Sequence, residues 1–145
     1  MGDTVPLVRF ISNWAPVVLW MGVIYLLSAQ PSLPPTPSLP HDLLSRAGHF
    51  GEYLALGWLL ARTAGVQPSR RHLIALLAVA IAYAVSDEFH QSFVPNRAAA
   101  VDDIVFDVLG ASAGMVAGRW FSRSPRRRSQ PIGDARRNGY NDHNP

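Results

Sequence analysis

Cysteine is absent from this 145-residue chain, and so is lysine. Without thiols there is no disulfide framework, no thiolate zinc site and no cysteine nucleophile. Without lysine there is no Schiff-base chemistry and no lysine general base. The chain also lacks the H-E-x-x-H, G-x-S-x-G and phosphatase-type Ser-Gly-His signatures, which removes the commonest hydrolase motifs. Nor is the overall hydrophobic share of 48% above the ordinary globular level, so composition by itself does not indicate a membrane protein. That average is diluted by a Pro-rich stretch, Gln30 to Pro40, and by a tail beyond Phe121 that supplies much of the net charge of +3.

Between these segments the chain is far more apolar than its mean. Four stretches, Leu7–Ser28, Ala47–Val66, Leu73–Phe89 and Ile104–Phe121, are each close to the roughly 20 residues that cross a bilayer as a helix. The third contains the run "LIALLAVAIAYAVS", which has no polar face, and a helix apolar all round must be deeply buried or in lipid. A chain this short has too little amphipathic sequence to wrap four such helices. The expected fold is therefore all-α, a polytopic membrane bundle of about four transmembrane helices. Leu27 fits the small-residue rule of a signal-peptidase site poorly, so the first stretch reads as a retained anchor, kinked or loosened at Pro16.

Arginines set the expected orientation. With four spans, both termini and the second loop share one side, which collects Arg9, Arg70, Arg71 and "RWFSRSPRRRS", while Arg46 and Arg97 lie on the other. The positive-inside rule makes both termini cytoplasmic. Residues 1–121 then form the transmembrane domain and residues 122–145 a disordered, Arg-rich cytoplasmic tail that rests against anionic headgroups. So short a basic run is a poor nucleic-acid site, and no nucleic-acid partner is expected. "QPSLPPTPSLPHD" reads as a short, stiff extracytoplasmic connector.

Ionisable residues concentrate at that outer face. On the third helix Asp87, His90 and Gln91 share a face by i, i+3, i+4 spacing, with Glu88 beside them, before Pro95 and Asn96 turn the chain and bring Arg97 back. On the fourth, Asp103, Asp107, Gly110, Gly114 and Gly118 form one stripe. Its glycines are a small-xxx-small packing face, so the two aspartates point at a partner helix rather than at lipid. Asp102 is accounted for as a helix-start acid. Asp107 lies a turn deeper, where an ionisable group costs roughly 2.5 to 3.5 kcal/mol on insertion scales unless it is paired or hydrated. The second helix opens with a matching set, His49, Glu52 and Tyr53, again i, i+3, i+4, and topology brings the two sets together. Arg97 is the expected bidentate partner for Asp103 or Asp107.

These residues resemble a known family. "HFGEYLALGWLL" is similar to an HF-x-x-Y-x-x-L pattern, and "DEFHQSFVPNR" followed by "DDIVFDVLGASAG" to a DE-x-x-Q-x-F-x-P-x-R and D-x-x-x-(D/N)-x-x-G pattern, of the VanZ-like small bacterial membrane proteins. The resemblance runs from Arg46 to Gly118, with Asn96 standing where glycine is common. It implies a bundle of about four transmembrane helices in the bacterial cytoplasmic membrane, and links the fold to teicoplanin resistance, the property of the founding member. The functional expectation is an extracytoplasmic polar pocket, made by His49, Glu52, Tyr53, Asp87, Glu88, His90, Gln91, Arg97, Asp103 and Asp107, that binds an envelope lipid or a lipid-linked cell-wall precursor headgroup and affects glycopeptide susceptibility. The partners expected are membrane lipids; no cofactor and no resident metal are expected. The alternative is an intramembrane hydrolase or transferase acting on an envelope lipid, in which His49, His90, Glu52, Asp87, Asp103 and Asp107 supply an N/O-ligand metal site or an acid/base pair. Proton-coupled transport ranks last, because the polar groups stop one or two turns into the membrane.

Overall fold

The structure, a computed structural model, describes residues 4–31, 41–65, 67–95, 97 and 101–123. The described residues form four helices and no strand: α1 (Thr4–Ser28), α2 (His41–Thr63), α3 (Arg70–Gln91) and α4 (Val101–Arg123). Each begins upstream of its apolar stretch, because apolarity marks the part of a helix that meets lipid or core, whereas capping decides where it starts. Ser69 caps α3, its side chain accepting from the His72 backbone N–H at 3.2 Å. Asp102 and Asp103 occupy the first turn of α4, where the macrodipole favours acids. At the other end of α2, Gly65 takes φ of +74°, the left-handed conformation that commonly terminates a helix. α1 continues through Pro16. The Pro-rich connector and the Arg-rich tail beyond Arg123 lie outside the described residues.

Three helices, α1, α3 and α4, are long and apolar enough to cross a membrane. α2 is the more polar one, with Asp42, Arg46, His49, Glu52 and Arg62 along its length. Its placement accounts for this: α2 carries most of the helix–helix contact in the bundle, above all against α4. α1 and α4 lie on opposite flanks, without contact between them among the described residues.

The core is small and lies along α2. Val17 and Ile24 of α1, Tyr53, Leu56 and Leu60 of α2, Ala80 and Ala84 of α3 and Ala111 of α4 are almost fully enclosed. Outside it, large apolar side chains are bare, among them Leu19 at 71% exposed, Val116 at 70% and Trp120 at 75%. A monomer in water rarely leaves so much contiguous apolar surface uncovered, and a lipid-facing bundle must. The protein is a helical membrane protein.

Glycine makes the α2 and α4 contact possible. A Cβ on Gly114 would overlap the Leu54 carbonyl, one on Gly110 the Phe50 carbonyl, and one on Gly57 of the facing helix the Ala111 carbonyl. The two backbones therefore touch directly, as the glycine stripe predicts.

Candidate functional site

The glycine contact decides what faces what at the polar end of the bundle. With the α2 and α4 backbones in van der Waals contact at Phe50 and Gly110, the residue just before Phe50, one turn before Tyr53, meets the residue one turn before Gly110 on α4. His49 Nδ1 lies 3.1 Å from Asp107 Oδ1, and His49 Nε2 lies 3.9 Å from Asp103 Oδ2. In the tautomer that carries its proton on Nδ1, His49 donates to Asp107 and leaves Nε2 for another partner. Asp107 is 0% exposed and its second oxygen, Oδ2, is buried without a hydrogen-bond partner among the described residues. Both aspartates thus face the bundle interior, as their register with the glycines requires. Tyr53 is also fully enclosed, its ring centroid 6.2 Å from that of Tyr83 on α3.

A second polar group joins α3 to α1. The buried residues of α3, Leu76, Ala80, Ala84, Asp87, Glu88 and Gln91, form one face, in which alanines allow close approach and then give way to polar residues at the end of the helix. Asp87 Oδ2 accepts from Ser28 Oγ at 2.8 Å and from Gln91 Nε2, one turn on, at 3.0 Å. His90 stacks on Tyr25 of α1, with ring centroids 4.3 Å apart.

Arg97 departs from expectation. Its NH1 donates to the Ser28 backbone carbonyl at 2.9 Å, while Asp103 and Asp107 face His49 instead. The physical reason is that the last carbonyls of α1 have no intrahelical donor, and a guanidinium arriving from the turn after α3 satisfies one of them. Arg46 and Asp102 pair at 2.7 Å at the exposed margin, apart from the buried groups.

Between the end of α1, the start of α2 and the turn after α3 lies a cavity of about 230 Å³. Its polar lining includes Ser28, His49, Glu52, Gln91 and Arg97, and its apolar lining includes Leu27 and Leu44. The Glu52 carboxylate borders it, half-buried; the Glu52 backbone carbonyl accepts from Trp20 Nε1 at 2.9 Å. Of the ten residues expected to form the site, four line this cavity: His49, Glu52, Gln91 and Arg97. Asp87, Asp103 and Asp107 stand behind it, through Ser28, Gln91 and His49, whereas Tyr53 belongs to the core and His90 to the α1 contact. His49, Glu88 and Asp103 are also close enough to share a cation: one ligand atom from each lies within 4.8 Å of the others.

Sequence reasoning passed over Ser28, Tyr25, Trp20 and Tyr83. Ser28 is central, because its hydroxyl holds Asp87 and its carbonyl holds Arg97. A signal was available: the end of α1 lies at the same face as the start of α2, so the last polar residue of the first apolar stretch belongs with the acidic set. Tyr83 donates to the Met21 carbonyl across the α1 and α3 interface. A lone tyrosine in an apolar run carries no comparable signal.

No curated protein and no solved structure matches the chain. The model of the VanZ/LLP1 family matches residues 10–122, which takes in α2 and α3 whole, most of α1 and α4, the His49 and Asp107 pair and the Asp87 to Arg97 segment. The chain is a member of the VanZ/LLP1 family of membrane proteins.

Proposed function

We propose that the polar cavity binds the anionic headgroup of an envelope lipid or lipid-linked cell-wall precursor, at the outer face of a bacterial cytoplasmic membrane with both termini inside. One observation carries this reading: the cavity joins the Arg97 guanidinium and the neutral donors of Ser28 and Gln91, with the Glu52 carboxylate on the same wall, to an apolar edge at the end of the bundle. Arg97 borders it with Ser28 and Gln91, and Leu27 and Leu44 stand at its edge with side chains largely exposed. A guanidinium pairs well with phosphate or carboxylate oxygens in a site of low dielectric. The apolar rim suits the start of the acyl or prenyl chain. In this reading, an effect on glycopeptide susceptibility would come from holding a cell-wall precursor at this cavity.

Mass spectrometry of lipids that co-purify with the full chain tests this. An enriched anionic lipid with wild type, reduced at least fivefold in Arg97→Ala, is the expected result; identical lipid profiles sink the reading. Orientation is tested separately, and the cysteine-free chain makes it simple: single Cys substitutions at Ser38 and Ala99 label from outside the cell and one at Ser129 does not.

A second reading, a hydrolase or transferase acting on the same lipid, is favoured by the joint presence of His49 and Glu52 on the cavity wall. Both are residue types able to take a proton from water or a lipid hydroxyl. A chemically altered lipid in the presence of wild type, but not of Glu52→Gln, would establish it.

A further inference from the structure

We propose that His49, Glu88 and Asp103 bind a divalent transition-metal ion at the polar end of the bundle, with Asp107 orienting the histidine. The site takes one ligand atom from each of three helices: an imidazole nitrogen from α2, a carboxylate oxygen from α3 and one from α4. His49 and Glu88 are buried and Asp103 is mostly enclosed, so these are not solvated surface acids.

Three features distinguish this arrangement from a simple ion-pair cluster. His49 Nδ1 faces Asp107, so Nε2 is the nitrogen turned toward Asp103, and in the Nδ1–H tautomer it carries the lone pair there. This carboxylate–histidine arrangement is the one that fixes tautomer and ring orientation at metal sites. The spacing points the same way. At 3.9 Å, Nε2 and Asp103 Oδ2 are too far apart for a hydrogen bond, yet close to the separation of about 3.4 Å between two ligands that each lie about 2.1 Å from a tetrahedral ion. Finally, among the described residues, charge is left over. Asp103 and Asp107 face one imidazole between them, Asp107 Oδ2 has no hydrogen-bond partner among the described residues, and Arg97, the expected counter-ion, is at the Ser28 carbonyl. A dication supplies the missing positive charge.

One imidazole and two carboxylates form a mixed N/O set that suits Zn²⁺, Mn²⁺ or Fe²⁺ better than a soft ion, and the Irving–Williams order ranks Zn²⁺ tightest of these. Three protein ligands leave a position open, and His49 lines the cavity, so a ligand there can approach the ion. The site does not depend on the lipid reading. If both hold, the ion would draw a phosphate oxygen to the inner wall of the cavity.

The test uses the full chain purified in detergent, stripped with chelator, and titrated with Zn²⁺ and with Co²⁺ as a visible-absorbing substitute. Wild type should take up one equivalent of each and show Co²⁺ ligand-field bands. His49→Gln and Asp103→Asn should each weaken uptake at least tenfold, Asp107→Asn about tenfold to a hundredfold, and Asp102→Asn, one helix position away at the exposed margin, not at all. Thermal melts of each variant separate lost binding from lost folding. The wild-type stoichiometry is decisive without any variant: substoichiometric uptake overturns the proposal, as does equal uptake by wild type and folded His49→Gln, or equal loss in Asp102→Asn. Failure of the lipid reading shows in the lipid spectrum, and failure of this one in the metal count.

Discussion

Helix α2 meets its two flanking helices in contrasting ways. Against α4 the contact is backbone on backbone, with Gly57, Gly110 and Gly114 each removing a side chain that would strike a carbonyl. Against α1 it is sparse, and α1 is held to the rest of the bundle by directed bonds: Trp20 to the Glu52 carbonyl, Tyr83 to the Met21 carbonyl, Ser28 to Asp87 and Arg97 to the Ser28 carbonyl. In lipid no hydrophobic effect drives helices together, so close packing and hydrogen bonding are the two means available, and this bundle uses one on each side. The α2 and α4 pair is a rigid frame that fixes the His49 and Asp107 geometry. α1 is a cover attached largely at the site itself.

The strongest way to break that contrast is at the frame. Gly114→Val should abolish the folded bundle, at a cost above the usual 1–3 kcal/mol of overpacking, about 4 kcal/mol or more, because the obstacle is a backbone carbonyl rather than a side chain that can turn. Thermal unfolding in detergent reads this, with Gly22→Ala, where open space surrounds the position, as the control that melts at or above wild type. A Gly114→Val protein that melts like wild type would refute the backbone contact.

A smaller effect should appear on the cover. Ser28→Ala removes the hydroxyl that meets Asp87 and should cost about 1 kcal/mol. Its signature is local: hydrogen exchange should rise in the last turns of α1 and leave α2 and α4 unchanged. Uniform protection loss across the bundle would mean that α1 is part of the frame after all.

The least effect is expected at the margin. Arg46 and Asp102 make a 2.7 Å ion pair, yet their side chains are 39% and 58% exposed. Exposed pairs contribute little after entropy and screening, so Arg46→Ala should shift stability by less than about 0.5 kcal/mol in the same melts. A larger loss would move this pair into the frame.

Which parts of this could be read from residues alone follows from what each kind of signal reports. The glycine stripe and the inward turn of Asp103 and Asp107 were legible, because helical register fixes which residues share a face whatever the partner is. The meeting of His49 with Asp107 followed from topology and register together. The partner of Arg97 was not legible: matching charges suggests a carboxylate, whereas the acceptor is a backbone carbonyl, and every residue type has one of those. Apolar run length also misplaced the helix ends and made α2 look like its neighbours. Its polarity makes sense only once most of the helix–helix contact is seen to fall on it. Pocket membership was the least legible. Tyr53 shares a face with His49 but is spent on the core, and Ser28 shares no motif with anything it touches.

Ser28 gives α1 a thermodynamic consequence. Its carbonyl holds Arg97 while its side chain lines the same cavity and restrains Asp87. Any ligand that draws the guanidinium toward itself therefore trades against the bond that closes the end of α1. Linkage makes that trade reciprocal: whatever ligand binding does to the docking of α1, the docking of α1 does to ligand affinity by the same factor. Occupancy of the cavity and seating of the first helix are then one equilibrium observed at two places, and a reporter on α1 would measure ligand binding without touching the site.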